Sequence, residues 1–396
     1  MLGSFPSKLK TTQDKLFAKL PVDKIVVWAY TIWIIPFFIG SLTLFGLFMS
    51  QEVNLVLRII GVVGLGVSVL ATSRFDQASF LAIMWILFSA MIAVMSREYY
   101  LFDIAVLMVA ARSVDLKKLL KAFLVVTTIL TILTVGSAIF NIIESPVFTT
   151  ATRIRYALGF NWPSFLPHLF FFVTMTVVVV TKERFNHYWV IGFWTLNAIV
   201  YLFTDTRNAF YLSTLFLICV WLFNTFEVFK KAVIKFAPLF IYSFVLASLA
   251  IVTVSYFYDQ LPMLEKLNAV LSNRLQLANN AFHEFGITAL GRPIKMVGNL
   301  SIQLNSSLKH GSYNYIDSAY IQTLIIHGWL YFGCLLTLLT VTLRYLLSVK
   351  SYYWFFALVF VAIHAMVDPQ LLMMWYSPLL LVVGKVFNVK GDRHRS

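Results

Sequence analysis

Pro262–Gly286 reads PMLEKLNAVLSNRLQLANNAFHEFG, and it forms part of Tyr256–Tyr320, the longest polar interruption between two apolar runs of membrane length. That interruption carries Arg274, Glu284, Arg292, Lys295, His310 and Asp317. Leu264, Leu267, Leu271, Leu275, Ala278, Phe282 and Phe285 recur at gaps of three and four, which predicts one amphipathic helix with Pro262 in its first turn and Gly286 at its stop. At about 100° per residue, Lys266, Asn273, Asn280 and Glu284 fall opposite the stripe. Arg274 falls about 55° from the stripe's centre, on the border between the buried face and water. An arginine there either snorkels from a membrane-surface helix or serves a ligand.

Outward from this segment the chain is apolar. Of 396 residues, 60% are hydrophobic and only 12% charged, a composition that excludes a water-soluble globule. The apolar runs are continuous and about 17 to 25 residues long, the length that crosses the hydrocarbon as helix, and they lack the ten-residue alternation of a membrane barrel. The expectation is an all-α polytopic membrane protein forming a single transmembrane domain, with about twelve spans. These fall near 25–49, 55–72, 78–95, 100–111, 122–142, 165–181, 187–204, 208–224, 236–255, 319–343, 351–367 and 371–386, and residues 256–318 form one large external loop.

The formal charge of +14 reads as topology and not as nucleic-acid binding, because the basic residues are spread through short loops. Residues 1–24 form a basic segment in which Lys8, Lys10, Lys15, Lys19 and Lys24 surround apolar positions, suited to an anionic cytoplasmic leaflet. With that end inside, the inner loops collect most of the 31 Lys and Arg residues, and both termini are expected in the cytoplasm. Arg153, Arg155, Arg207, Arg274 and Arg292 then lie at the outer surface against the bias. An anionic ligand accounts for that placement; the plain alternative is that they anchor helix ends. Cys219 and Cys334 sit inside apolar runs, and the seven His show no paired metal-binding spacing, so neither a disulfide nor a metal site is expected.

Three short motifs carry polar chemistry. In Thr152–Pro163, TRIRYALGFNWP, an extended backbone would project Arg153 and Arg155 to one side, where two guanidinium groups can grip a diphosphate. In Thr204–Asn208, TDTRN, Asp205 either pairs with Arg207 or orients it toward a phosphate. His310–Tyr320, HGSYNYIDSAY, precedes a span broken at His327-Gly328, and Asp317 stands where a carboxylate could cap that helix or act as a base. His364 and Asp368, one turn apart, read most simply as a local hydrogen bond.

The ensemble of an RxRxxLGFxxP loop at 153–163, the TDTRN turn, SNRLxLAxxAFxxF at 272–285 followed by Gly291, and DSAY at 317–320 with HGW at 327–329 resembles the Wzy-type polysaccharide repeat-unit polymerases, relatives of the O-antigen ligases. Ala111–Lys121 is similar to the cytoplasmic connection of members encoded with capsule and exopolysaccharide genes. The resemblance implies a GT-C-like, metal-independent glycosyltransferase of the bacterial cytoplasmic membrane without cofactors. It would polymerise undecaprenyl-diphosphate-linked oligosaccharide on the outer face and work with a chain-length regulator and a flippase. It assigns Arg153, Arg155, Arg207 and Arg274 to diphosphate binding; Asp205 and Tyr320, beside these motifs, are taken with them as substrate-binding candidates. The catalytic base is then sought among Asp317, His310 and Glu284. A ligase acting on another acceptor and a flippase of lipid-linked sugars are the alternatives.

Overall fold

The computed structural model describes residues 20–73, 76–150, 153–298 and 313–388; His310 lies outside them. Among the described residues, eight helical stretches are long and apolar enough to cross a membrane: Val22–Leu42, Gln51–Thr72, Gln77–Ser96, Leu116–Ile139, Phe165–Arg184, Arg207–Thr225, Glu227–Tyr256 and Ala319–Ser348. Their α-helical parts, with the shorter helices between them, run α1 (Val22–Phe37), α2 (Gln51–Thr72), α3 (Gln77–Ser96), α4 (Tyr100–Ala110), α5 (Leu116–Ile139), α6 (Phe165–Thr181), α7 (His187–Thr204), α8 (Arg207–Thr225), α9 (Glu227–Phe236), α10 (Ser243–Tyr256), α11 (Leu264–Val270), α12 (Arg274–Phe285), α13 (Ala319–Gln322), α14 (Gly328–Ser348) and α15 (Tyr352–His364). A 3-10 segment, Pro378–Asn388, follows. Bulky apolar side chains such as Leu55, Ile59 and Val63 on α2 stay exposed, as a lipid-facing surface requires.

Polar contacts gather the chain's connections at two opposite ends. At one end Lys118 pairs with Asp23, Lys385 donates to Arg112 O and Val114 O at 3.0 Å each, and Tyr353 Oη donates to Asn224 at 2.6 Å. At the other end meet the turn after α1, residues 147–150 and 153–164, the α7–α8 turn, the loop after α10 and residues 365–377. Between the ends, Asp103 on α4 accepts from Trp33 at 3.0 Å and pairs with Arg58 on α2, so a charge carried inside the bundle is matched within it.

The described residues are mostly helical, consistent with the expected all-α polytopic membrane protein, and β1 (Val147–Thr150) and β2 (Arg153–Tyr156) add one antiparallel hairpin with Phe148 opposite Arg155. One expectation is corrected. The predicted amphipathic helix is two helices, α11 and α12, broken where Ser272 and Asn273 take left-handed φ of 56° and 65°. Asn268 decides the break: its Oδ1 accepts from Leu275 N and Gln276 N at 3.1 and 3.2 Å, capping α12 from the preceding helix and leaving Arg274 as that helix's first residue.

Part of the large loop also packs into the bundle. The span from Ala319 passes through a π-helical turn, Thr323–His327, and breaks at Gly328 with φ 87°. The backbone groups freed there are met by the loop: Arg292 N donates to Ile326 O at 3.0 Å, while Trp329 N and Leu330 N donate to Thr288 O and Ala289 O at 3.0 and 3.2 Å. At 1.5 Å per residue the break lies roughly 14 Å from the start of α13, so residues 288–292 reach well into the bundle.

The approach is close enough to be tested. A Cβ on Gly291, whose φ is 80°, would stand 2.1 Å from Ile326 O. Gly291→Ala should therefore destabilise the purified protein by at least roughly 1–3 kcal/mol through its backbone conformation alone, whereas Gly66→Ala, with nothing within 4 Å, should leave the thermal midpoint nearly unchanged. Equal midpoints for the two variants would contradict the docking of the loop into the break.

Candidate functional site

A cavity of about 1490 Å³ opens at the end of the bundle where the hairpin and the α7–α8 turn meet. Among the described residues its charged lining is Arg153, Arg155, Arg207 and Arg274 with Asp205, Asp317 and Asp368. Six of these seven are residues singled out in the sequence as site candidates, and the seven come from five separate stretches of chain.

The strand β2 does what the Arg-x-Arg spacing predicts. Arg153 and Arg155, both partly buried, alternate with the exposed Ile154 and Tyr156, and both reach the α7–α8 turn. Arg153 binds the Asp205 carboxylate and backbone carbonyl. Arg155 donates to Thr204 O at 2.9 Å and Thr206 Oγ1 at 3.0 Å, and its guanidinium lies 6.0 Å from the centre of the Trp162 ring. Arg207 is 63% exposed and only loosely paired, its Nε being 3.8 Å from Asp205 Oδ1. Asp205 therefore belongs more to Arg153 than to Arg207, its partner in the sequence motif. Burial works against ionisation of Asp205, but the Arg153 bond and charge hold its carboxyl below the usual range. Arg155 loses solvent and faces Arg153, which lowers its pKa to about 10.

On the facing wall, Arg274 links two carboxylates: its Nε stands 3.3 Å from Asp317 and its Nη2 3.1 Å from Asp368. An arginine so engaged is not snorkelling to water. Burial disfavours its charge, yet Asp368 and Asp317 outweigh that and raise its pKa. Asp317 is not the helix cap; Ser318 is, accepting from Ile321 N at 3.5 Å. Loss of solvent pushes the Asp317 carboxyl above its usual range, with Arg274 opposing.

Asp368 is the group whose importance the sequence conceals. Buried to 1% exposure, it accepts from Asn208 and Arg274, and both His168 Nε2 and His364 Nε2 face it, at 3.4 and 3.6 Å. The pair His364–Asp368 is thus more than a local hydrogen bond. His168, at the start of α6, was not marked as a candidate, although an ionisable residue within an apolar span is itself a signal. His168, His364 and Asp368 each offer one ligand atom within 4.8 Å of the others and could hold a metal ion.

The remaining candidates lie elsewhere. Glu284 is exposed on α12 and does not line the cavity. Tyr320 is buried at 1% exposure, outside the cavity wall, and its hydroxyl donates to Ala362 O at 2.8 Å, which makes it a packing residue. Arg292 sits in the inserted part of the loop, its backbone N on Ile326. Aromatic side chains also line the space, among them Trp162, Tyr201, Tyr313 and Trp375. Comparison with protein-family models, with curated proteins and with solved structures returns no match.

Because Asn268 holds the first turn of α12, Asn268→Ala should cost about 1 kcal/mol of stability, the usual loss of a capping side chain. It should also loosen Arg274. The thermal midpoint reads the first effect, and faster modification of Arg274 by phenylglyoxal, followed by mass spectrometry, reads the second. An unchanged modification rate would detach Arg274 from this cap.

Proposed function

We propose that the protein is a polysaccharide repeat-unit polymerase of the Wzy type, joining lipid-diphosphate-linked oligosaccharides at the outer face of a bacterial cytoplasmic membrane. The observation that carries the reading is the convergence of Arg153, Arg155, Arg207 and Arg274 on one large cavity at one end of an apolar helical bundle. A growing glycan would occupy the open space, lined by aromatic side chains suited to stacking on sugar rings. Its lipid diphosphate would meet the arginines.

In this reading the acceptor hydroxyl of the incoming unit attacks the anomeric carbon of the chain, and its proton passes to the Asp317 carboxylate. The bond from that carbon to the diphosphate oxygen breaks, and the negative charge growing on the leaving group is met by preplaced guanidinium groups. Asp317 suits the base because burial favours its protonated form while Arg274 keeps it ionised beforehand. The twelve-span, GT-C-like arrangement with both termini inside belongs to the same proposal. It is supported by the alternate connections meeting at opposite ends when α4, α7, α15 and the Pro378–Asn388 segment are taken as the short crossings. A flippase would hold its charges near the middle of the bundle, whereas this cluster lies at one end.

The chain-length profile of surface polysaccharide in a strain lacking the protein tests the reading. Single repeat units on the surface are expected. Loss of all export would instead indicate a flippase, and full-length chains left without their final acceptor would indicate a ligase.

The arginines and the base make separate predictions. Lysine keeps the charge but loses the planar fork, so Arg274→Lys and Arg207→Lys should depress polymerisation and the alanine variants abolish it at unchanged protein level. Full activity of Arg274→Ala would restrict that residue to holding Asp317 and Asp368. Asp317→Asn keeps size and, with Ser318 as the cap, should fold normally while slowing the chemical step roughly 10²-fold or more, so that lipid-linked repeats accumulate. A base must be deprotonated, so a raised Asp317 pKa shifts the acid limb of the pH–rate profile above that of an exposed carboxylate, and the limb should vanish in Asp317→Asn. Wild-type chain lengths from that variant would exclude Asp317 as the base.

A further inference from the structure

Two imidazoles converge on one buried carboxylate beside the cavity, whose wall includes His168 and Asp368. His168 on α6, His364 on α15 and Asp368 after it are exposed by 2%, 1% and 1%. The ring nitrogens that face the carboxylate stand 3.4 and 3.6 Å from its two oxygens, and His168 Nε2, His364 Nε2 and His364 Nδ1 have no hydrogen-bond partner. Each neutral imidazole carries one N–H and one lone pair, so His364 keeps a buried lone pair with no donor, and His168 offers a second at Nε2 when its proton sits on Nδ1.

Their spacing is near that of a coordination shell. Ligand atoms of a tetrahedral site with bonds of about 2.1 Å stand about 3.4 Å from one another, and the three candidate atoms here lie within 4.8 Å, so small side-chain rotations close the shell. We propose that His168, His364 and Asp368 bind one divalent first-row transition cation of the Zn²⁺ class, with a coordination position left open toward the cavity. Two imidazoles and one carboxylate suit such borderline ions, whereas Mg²⁺ and Ca²⁺ call for oxygen ligands throughout.

The surroundings supply what a metal site needs beyond its ligands. Gln370 Nε2 lies 3.2 Å from His168 Nδ1, and Gln370 Oε1 is buried without a partner. Coordination through His168 Nε2 puts the ring proton on Nδ1. A half-turn of the Gln370 amide then presents Oε1 to that proton and satisfies both groups. Asn208 and Arg274 orient the carboxylate from outside. The guanidinium does not exclude a cation, because Arg274 also has Asp317 at 3.3 Å to balance it. Asp368 and the ion together then leave one net positive charge at the floor of the cavity, where a phosphate oxygen could complete the shell.

Local sequence spacing gives no hint of this site, since its ligands are 4 and about 200 residues apart, and an expectation of no metal drawn from spacing does not bear on it. The inference rests on side-chain geometry and not on the proposed reaction. Its readout is binding, so a protein that polymerises nothing could still bind the ion, and a polymerase could fail to bind it.

The test uses the full chain in detergent, without a polyhistidine tag, stripped with EDTA and titrated with Co²⁺. One equivalent should bind with visible d–d absorption of low-symmetry coordination and be displaced by Zn²⁺. His364→Gln and His168→Gln should abolish the absorption, and Gln370→Leu, which keeps all three ligands, should weaken binding about 10- to 100-fold. Should the histidine variants fail to elute as folded protein, the wild-type stoichiometry and Gln370→Leu decide alone. Less than half an equivalent bound by the wild type overturns the proposal. So does undiminished binding in Gln370→Leu or in a folded histidine variant, which would locate the ion elsewhere.

Discussion

Arg274 held between Asp317 and Asp368 is the interaction on which the end of the bundle depends. The three groups come from the start of α12, the stretch before α13 and the turn after α15, with no helix in common. A buried carboxylate at the end of an apolar bundle is tolerated only when it is paired and hydrogen-bonded. Asp368 meets that condition through Arg274 and Asn208, and Asn208 belongs to α8. The requirement to neutralise one buried aspartate therefore draws four elements to a common point. The cavity is the space they leave between them.

A second constraint comes from the backbone. Within a membrane, irregular backbone is stable only where protein covers it. The break at His327-Gly328 exposes peptide groups that residues 288–292 cover by three hydrogen bonds. Glycine at 291 and at 328 allows the two backbones to touch, since a Cβ at either would fall within 2.5 Å of backbone atoms across the contact. The loop is thus fixed at two depths, by this docking and by Arg274 nearer the cavity.

How much of this was legible depends on the range of the interaction. Periodicity and run length report on neighbours in sequence, and they were sufficient for the apolar spans and for the two arginines of β2 sharing one side. The division of Pro262–Gly286 into α11 and α12 escaped because the apolar stripe runs on through it, while the break is made by one amide, Asn268, reaching across to cap the next helix. Tyr320 and Glu284 were read as site residues because they adjoin motifs. Adjacency along a helix does not determine the direction of a side chain, and these two point into packing and into solvent. His168 was missed for the converse reason. It stands alone in an apolar run, and its partners are about 200 residues away.

The cavity's two walls differ in what they hold in reserve. On the hairpin side, Asp205 is committed to Arg153, and Arg155 donates to neutral oxygens while Arg207 extends into the opening. That wall carries cationic capacity not cancelled by its own carboxylate. On the opposite side, Arg274 is saturated by two aspartates, and the surplus consists of groups that accept: Asp317 and two imidazoles with unpartnered nitrogens. An anion entering the cavity is drawn to the first wall and a proton or a cation to the second. Such a separation of charge suits a group transfer in which negative charge leaves on one side and a proton is taken up on the other.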